Sequence, residues 1–319
     1  MSRNKYSLIT CAQLAKICNV SMGTVDRAIN NRAGINAETK KRILEAARTY
    51  GYSPNVFINV PVDSKSQLLG IVLFDLNNDY FSRFTMDFEV LCQRIGYNSV
   101  VMFSHNDKKT EIGCINQLVH LGVDGIVLCP VGKGKEYSLY LNSLDIPVVT
   151  IGNRVEGVAF AGINDMAAMR GITKHAISLG FKKFIYYAPV LKKADHENIY
   201  AQTERYRGFV SLVEACDYPY ETVLDEETLK ARISSDEQCA VICPSDIYAI
   251  SIYNLVRDKN LKNIKVFGFD NCDILDKARI KIDSISYDRN ALIEQIHRFL
   301  NKTQTEEVAY IPYTIAVRK

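Results

Sequence analysis

Side chains able to do chemistry collect where short apolar runs stop. Asp75 and the run Asn77-Asn78-Asp79-Tyr80-Phe81, then Asn153-Arg154, Ser245-Asp246 and Asp270-Asn271, each close a stretch rich in Val, Ile or Phe. Carboxylates, amides and hydroxyls exchange hydrogen bonds with polar ligands, and aromatic faces cover apolar ones, so this set suits the holding of a small polar molecule. Bond-breaking chemistry has no comparable signature. The chain contains no GxxxxGK[ST], no GxGxxG after a strand, no GxSxG and no HExxH. The segment GKGKE at 132–136 reads as a surface turn rather than a phosphate cradle. His105, His120, His175, His196 and His297 form no pair at ligand spacing, and Cys239 and Cys243 share one strand face, as core residues do. Neither a metal nor a cofactor is expected.

Those residues need elements to position them. From Leu68 onward, apolar runs occupy 68–75, 97–104, 123–130, 147–152, 158–163, 183–189, 239–245, 265–270 and 282–287. Such near-continuous runs read as strands buried on both faces. Helix-period stretches lie between them, at roughly 79–95, 108–121, 135–144, 165–179, 200–216, 246–259 and 288–301. This alternation predicts parallel sheets covered by helices and joined by right-handed crossovers. About 250 residues are many for one sheet, and the strand series restarts after Gly162. Two similar α/β lobes with a cleft between them are expected, with ligands at the carboxyl ends of the strands, where the polar residues lie.

The first 60 residues differ in kind. They carry nine Lys and Arg against three acids, a formal +6, whereas the remainder sums to −3. A basic head on a mildly acidic body is the asymmetry of a nucleic-acid-binding module joined to something else. The head parses as three short helices, about Cys11–Cys18, Met22–Asn30 and Ala37–Tyr50. Leu14, Ala15 and Ile17, then Val25, Ala28 and Ile29, then Ile43, Ala46 and Ala47 should face inward, and Ser21 should cap the second helix. Small Ala15 with Val20 and Val25 permits the close crossing of a helix-turn-helix, whose second helix enters the major groove nose first. The 319-residue chain has no apolar stretch near about 18 residues, so no membrane span is expected. Its start, broken by Gln13 and Lys16, has no cleavage pattern of a secretory signal. Nine cysteines lying mostly in apolar runs fit reduced, buried thiols in a cytoplasm.

With VSMGTVDRAIN at 20–30 and ETKKRILEAARTYGYSPN at 38–55, the head resembles the DNA-binding domain of the LacI/GalR (lactose-repressor) family, whose pattern is close to VSxxTVSRVLN followed by a third helix and GYxPN. The body resembles that family's sensor domain through LNNDYF (76–81), GVDGIVLCP (122–130), IPVVTIGN (146–153), ERYRGF (204–209), ICPSD (242–246) and VFGFDN (266–271). The resemblance implies a helix-turn-helix head over 1–54, a hinge over 55–67, and a two-lobed α/β sensor of type I periplasmic-binding-protein fold over 68–319. In that fold the chain crosses between lobes three times, expected near 161–164, 285–288 and 306. Lobe 1 would then hold about 68–162 and 288–305, and lobe 2 about 163–287 and 306–319.

Carried over residue by residue, Met22 and Gly23 take the base-reading positions, and Arg27 suits bidentate contact with guanine. Ser21, Thr24 and Asn30 match backbone-contacting positions, while Lys5 and Arg32 add phosphate contacts. Asp26 stands where the family usually has Ser, and is expected to orient Arg27 or another donor rather than to accept from a cytosine amino group, the alternative role. In the hinge, Asn55-Val56-Phe57-Ile58-Asn59-Val60-Pro61 replaces a short helix, with Pro61 at the position of the wedge leucine. Proline inside a helix costs roughly 3 kcal/mol, so a shortened or non-helical hinge is expected, with Phe57, Ile58 or Val60 as wedge or dimer contact. Asn78, Tyr80, Phe81 and Asn153 of the first lobe and Arg205, Ser245, Asp270 and Ser286 of the second lobe and hinge should line the effector cleft. Arg205 could instead pair with Glu204 or Asp270. Gly152 stands where an Asp often grips sugar hydroxyls, beside Asn153, and Ser245 replaces a frequent Asn.

The function implied is a sequence-specific transcriptional regulator, expected to be a repressor, acting as a cytoplasmic homodimer on pseudo-palindromic double-stranded operator DNA. Its operator affinity would be set by a small effector, with a carbohydrate leading and another polyol, a sugar acid or a non-sugar metabolite as alternatives. No long heptad tail is seen before Lys319, which favours a dimer over a tetramer. An activator or dual regulator is a second reading, and a two-lobed α/β enzyme with a basic appendage a third, from a different class.

Overall fold

A computed structural model describes residues 11–29, 31–50, 52, 65–193, 197–233, 237–304 and 306–318. The head consists of α1 (Cys11–Ile17), α2 (Met22–Ile29) and α3 (Ala37–Thr49). Its core gathers Leu14, Ala15, Cys18, Val25, Ala28, Ile43 and Ala47. Ile17, expected inside, is 46% exposed, and Cys18 takes the place. The reason is helical spacing: Cys18 stands four residues after Leu14 and its N–H still bonds the Leu14 carbonyl at 2.9 Å, so both share a face. Asn19 then adopts φ 48, which a short polar side chain tolerates, and the chain turns into α2. Ser21 Oγ accepts from Thr24 N at 3.2 Å and caps that helix. Asn36 does the same for α3, accepting from Glu38 N at 2.8 Å.

The body opens with β1 (Leu68–Leu73), α4 (Asp79–Arg94), β2 (Asn98–Phe103), α5 (Lys108–His120), β3 (Ile126–Leu128), α6 (Lys135–Asn142), β4 (Val148–Thr150) and β5 (Ala159–Gly162). A second series follows as α7 (Asp165–Ser178), β6 (Phe184–Tyr187), α8 (Tyr200–Ala215), β7 (Tyr220–Val223), α9 (Glu226–Arg232), β8 (Cys239–Ile242), α10 (Asp246–Asp258), β9 (Ile264–Phe269), α11 (Ile274–Lys277) and β10 (Asp283–Tyr287). The chain ends with α12 (Arg289–Leu300), β11 (Val308–Tyr310) and β12 (Tyr313–Ala316).

Two six-stranded sheets result, ordered β2-β1-β3-β4-β5-β11 and β7-β6-β8-β9-β10-β12. Every pairing is parallel except β10 with β12. The first two passages between lobes fall at 163–164 and 288, as the elements on either side require. The third falls later than expected. Val308 pairs with Phe160 and Tyr310 with Gly162, so residues 306–310 belong to the first lobe. The crossing comes at Ile311, whose N–H bonds the Gly162 carbonyl at 2.7 Å, and the second lobe begins again at Tyr313.

One apolar cluster runs through both lobes and includes Ile163, Ile285 and Ile311 at or beside the crossovers. Within the second lobe α7 and α8 pack closely enough that a Cβ at Gly208 would lie 2.2 Å from the Met166 carbonyl oxygen. Glycine is therefore required there by backbone approach. The contact matters because α7 and α8 carry Asp165 and Arg205.

Candidate functional site

The head presents the first turn of α2 outward. Ser21, Met22, Gly23 and Arg27 are exposed, and Thr24 bonds Ser21 through both backbone and hydroxyl. Among the described residues the Arg27 guanidinium makes no hydrogen bond or ion pair, whereas its backbone carbonyl accepts from Arg32 N at 2.9 Å. Asp26 turns to Arg32, at 3.0 Å, and not to Arg27. Arg32 was expected at phosphate, so an acid now steers that cation. Lys5, Asn30, Asn55, Phe57, Ile58, Val60 and Pro61 lie outside the described residues.

The body encloses a cavity of about 330 Å³ where the strands of both sheets end, and Asn78, Tyr80, Phe81, Asn153, Arg205, Ser245 and Asp270 all border it. Ser286 does not. It lies on a neighbouring pocket of about 30 Å³, where it accepts from Asn271 Nδ2 at 3.1 Å, because alternation along β10 turns it away from Tyr287, which does reach the cavity.

The first-lobe wall is built on the N-terminus of α4. Asn78 caps that helix, its oxygen accepting from Tyr80 N at 3.0 Å, so its NH2 group is the part left for a ligand. Phe81 meets Phe74 edge to face at 5.5 Å and Tyr80 at 5.0 Å, which fixes an aromatic wall. The Tyr80 and Tyr287 phenols bond one another, and burial holds both well above the ordinary tyrosine range.

The second-lobe wall is a charged network. Arg205 Nε donates to Asp165 Oδ1 at 2.7 Å and Nη1 to the Pro244 carbonyl at 2.6 Å. Nη1 also stands 3.6 Å from Asp270 Oδ1, and the guanidinium lies 3.6 Å above the Phe269 ring. Glu204, weighed as a partner, instead binds Arg207 at 2.8 Å. Ser245 Oγ donates to Asp270 Oδ2 at 3.0 Å. Asp270 holds φ 103, a conformation that costs on the order of 1–3 kcal/mol outside glycine. Its N–H on the Ile285 carbonyl at 3.1 Å and Asn271 N on Ser284 Oγ at 3.0 Å hold the turn. Burial pushes the Asp270 carboxyl up to about 6, against the pull of Arg205 and Ser245. Behind it Asp246, accepting from Cys272 N and Ser284 Oγ at 2.7 Å each, is pushed up to about 7 by burial and by Asp270.

Asn153 is in the cavity wall but with its amide engaged. Nδ2 donates to the Asn198 carbonyl at 2.5 Å, and Oδ1 accepts from Ala201 N at 3.2 Å. Asn198 answers from the second lobe, its N–H on the Val131 carbonyl at 3.1 Å and its Nδ2 on the carbonyls of Gly132 and Arg154 at 3.0 and 3.2 Å. Asp165 and Asn198 were not read from the sequence. Asp165 had a signal, since GIND at 162–165 repeats the pattern of an acid following a strand; Asn198 sits in a loop with none. Among the described residues no three His, Cys, Asp or Glu gather as a metal site, and all nine cysteines are free.

Residues 11–55 match the description "Bacterial regulatory proteins, lacI family", and residues 66–227 match "Periplasmic binding proteins and sugar binding domain of LacI family". Residues 173–318 match a "Periplasmic binding protein-like domain". Catabolite control protein A of Staphylococcus xylosus is 25% identical over 333 residues, covering 97% of this chain and 98% of its own. The lac repressor dimer bound to operator and the anti-inducer ONPF superposes with a TM-score of 0.69 at 14% identity, over 98% of this chain and 99% of that one. A periplasmic binding protein/LacI transcriptional regulator from Alkaliphilus metalliredigens QYMF complexed with D-xylulofuranose gives 0.65 at 17% identity, over 80% and 98%.

Proposed function

The chain belongs to the LacI family of bacterial regulatory proteins, DNA-binding transcription regulators with an effector domain and not enzymes, and from that premise we propose that it is a repressor controlled by a small carbohydrate. The cavity carries this reading. It lies between two lobes at the carboxyl ends of both sheets, and it sets hydroxyl acceptors such as Asp270 opposite the aromatic wall of Tyr80 and Phe81. A structural neighbour complexed with D-xylulofuranose supports a sugar as the ligand class.

Recognition of the operator is assigned to Met22 and Arg27 for bases, with Ser21, Thr24 and Arg32 on the backbone, and Lys5 and Asn30 beside them. Met22, 56% exposed, offers apolar contact to a thymine methyl; Gly23 brings the helix near the groove without a specifying side chain. Two copies on a pseudo-palindrome place two heads about one helical turn apart. A shortened or non-helical hinge over 55–67 belongs to the same proposal, with Phe57, Ile58 or Val60 as minor-groove wedge or dimer contact. Effector closes the lobes, changes the dimer contact and so changes head spacing; the coupling is reciprocal, and DNA alters effector affinity by the same factor. The site of action is the cytoplasm, where the operator lies.

The test is fluorescence anisotropy of the full-length chain on its own promoter region, across salt concentrations and with sugars added. Salt-sensitive binding that a sugar weakens supports the reading. Removing residues 1–60 should abolish DNA binding and spare ligand binding. Absence of salt-sensitive binding, or its survival after that deletion, overturns it.

A further inference from the structure

The cavity holds an imbalance of charge that its ligand must answer. Among the described residues four acidic side chains border it, Asp75, Asp165, Glu197 and Asp270, against the guanidinium of Arg205; Glu197 has Lys133 Nζ on its carbonyl at 3.1 Å, so Asp75, Asp165 and Asp270 carry the imbalance. That guanidinium is already matched by Asp165 at 2.7 Å and Asp270 at 3.6 Å, so it offers no unbalanced positive charge to a phosphate. The neutral polar wall leans the same way. Gln202 borders the cavity, and its Oε1, buried, has no partner among the described residues, so it awaits a donor. Donors are what hydroxyl groups supply and what phosphate and carboxylate oxygens lack.

We propose that the cleft is a charge filter, which accepts a hydroxyl-rich ligand bearing no negative charge and rejects the phosphorylated or acidic form of the same molecule, with Asp270 as the discriminating residue. The proposal rests on the carbohydrate reading above. Burial already resists the negative charge of Asp270 itself, whose carboxyl is pushed up to about 6, so a second anion beside it meets the same resistance and adds repulsion. Like charges brought together at a binding surface weaken association by about 100-fold or more. Among sugars this makes the regulator a reporter of the free compound, the species consumed by a phosphorylating reaction, and blind to that reaction's product.

The experiment uses the full-length chain, thermal shift followed by calorimetry, and a panel of free mono- and disaccharides with their phosphates and uronic acids, together with uncharged and cationic non-sugars (nucleosides, amides and amines). A free sugar should bind, with its phosphate about 100-fold weaker or worse. Inorganic phosphate should stabilise no more than chloride at equal ionic strength. Asp270→Asn should weaken the free sugar and narrow the gap to its phosphate. Asp75→Asn, which keeps the acceptor that Asn77 N uses at 2.7 Å, should narrow the gap with less risk to folding. A phosphate or acid binding as tightly as its parent sugar overturns the filter and leaves the effector cleft standing. An uncharged or cationic non-sugar as ligand overturns the carbohydrate reading and leaves the filter standing. Failure of every compound, of either charge, overturns both.

Discussion

Asn153 Nδ2 of the first lobe donates to the Asn198 carbonyl of the second across 2.5 Å, and both residues are buried. The same pair reaches Ala201 N, the Val131 and Gly132 carbonyls and the Arg154 carbonyl, so two side-chain amides tie the lobes together at the cleft. Asn198→Ala keeps the carbonyl that Asn153 uses but leaves the Gly132 and Arg154 carbonyls without their side-chain donor, and a buried polar group stripped of its partner costs about 1–3 kcal/mol. Asn198→Ala is therefore expected to destabilise the body by that order in urea denaturation and to lengthen the inter-lobe distance measured by fluorescence transfer. An unchanged distance would show that the apolar crossover cluster alone sets closure.

Arg205 and Asp165 are the most deeply placed ion pair of the site, with side-chain exposures of 10% and 4%. Breaking a buried pair by removing one partner costs about 3–5 kcal/mol, because the remaining charge has no solvent to turn to. Arg205→Ala should lose stability of that order and all effector response. Arg205→Ala combined with Asp165→Asn should recover part of the stability and none of the response. Equal stability of the single and double variants would contradict the pairing.

Stability should depend on pH through Asp246. Its carboxyl lies at about 7 in the folded chain, raised by burial and by Asp270, against about 4 when unfolded. Between those values the folded state holds a proton that the unfolded state has released, so stability falls as pH rises from about 4 to about 7. Asp270, at about 6, acts in the same direction over a narrower window. Asp283, held low by Lys265, the Arg318 backbone and His175 despite its burial, acts oppositely and only in acid, where its contribution is lost. Urea midpoints should therefore decline between pH 5 and pH 7, and Asp246→Asn should flatten that slope. An unaltered slope in the variant would assign the effect elsewhere.

Arg27 and Asp26 separate two kinds of DNA contact. Arg27→Ala should cost about 1–3 kcal/mol of operator affinity, concentrated at one base pair, while Arg32→Ala should weaken binding evenly across sequences and lower the salt slope. Asp26→Ser, releasing Arg32 from its 3.0 Å partner, should raise affinity for random DNA more than for the operator. Equal losses on operator and random DNA for Arg27→Ala would remove it from base reading.

Gly208→Ala tests whether helix spacing controls the site. The added methyl meets the Met166 carbonyl oxygen at 2.2 Å, so α8 must shift and carry Arg205 with it. Overpacking of this kind costs about 1–3 kcal/mol. Effector affinity should fall beyond what the lost stability explains, measured by calorimetry at a temperature where the variant remains folded.

Much of this arrangement is legible in residue order because buried elements advertise themselves. The seven long body helices and nine of the strands follow apolar runs and helical periods within a few residues. What escapes is short or at an edge. β7, β11 and β12 are outer strands with mixed exposure, so no apolar run marks them, and the late third crossing follows from overlooking β11. The rule that strand ends bind ligands selects Asn78, Tyr80, Phe81, Asn153, Ser245 and Asp270, the family resemblance adds Arg205 in the middle of α8, and both are silent on partners. Asn153 and Asn198 meet over 45 positions of sequence, and only the approach of two lobes creates that contact. Ser286 shows the opposite limit: the strand was identified, and one step of alternation decided which face it served.

The three crossings also govern how the protein is made. As the nascent chain leaves the ribosome, residues 68–162 emerge with the outer edge of β5 open, since β11, its neighbour, lies at Val308–Tyr310. The second series then emerges with β10 still lacking β12 at Tyr313–Ala316. Neither lobe can close its sheet until residues 308–316 have emerged, whereas the head's core, among the described residues, is drawn from residues 14–47. The reader of DNA can thus fold early, while the sensor spends translation with unpaired strand edges that invite aggregation or chaperone capture.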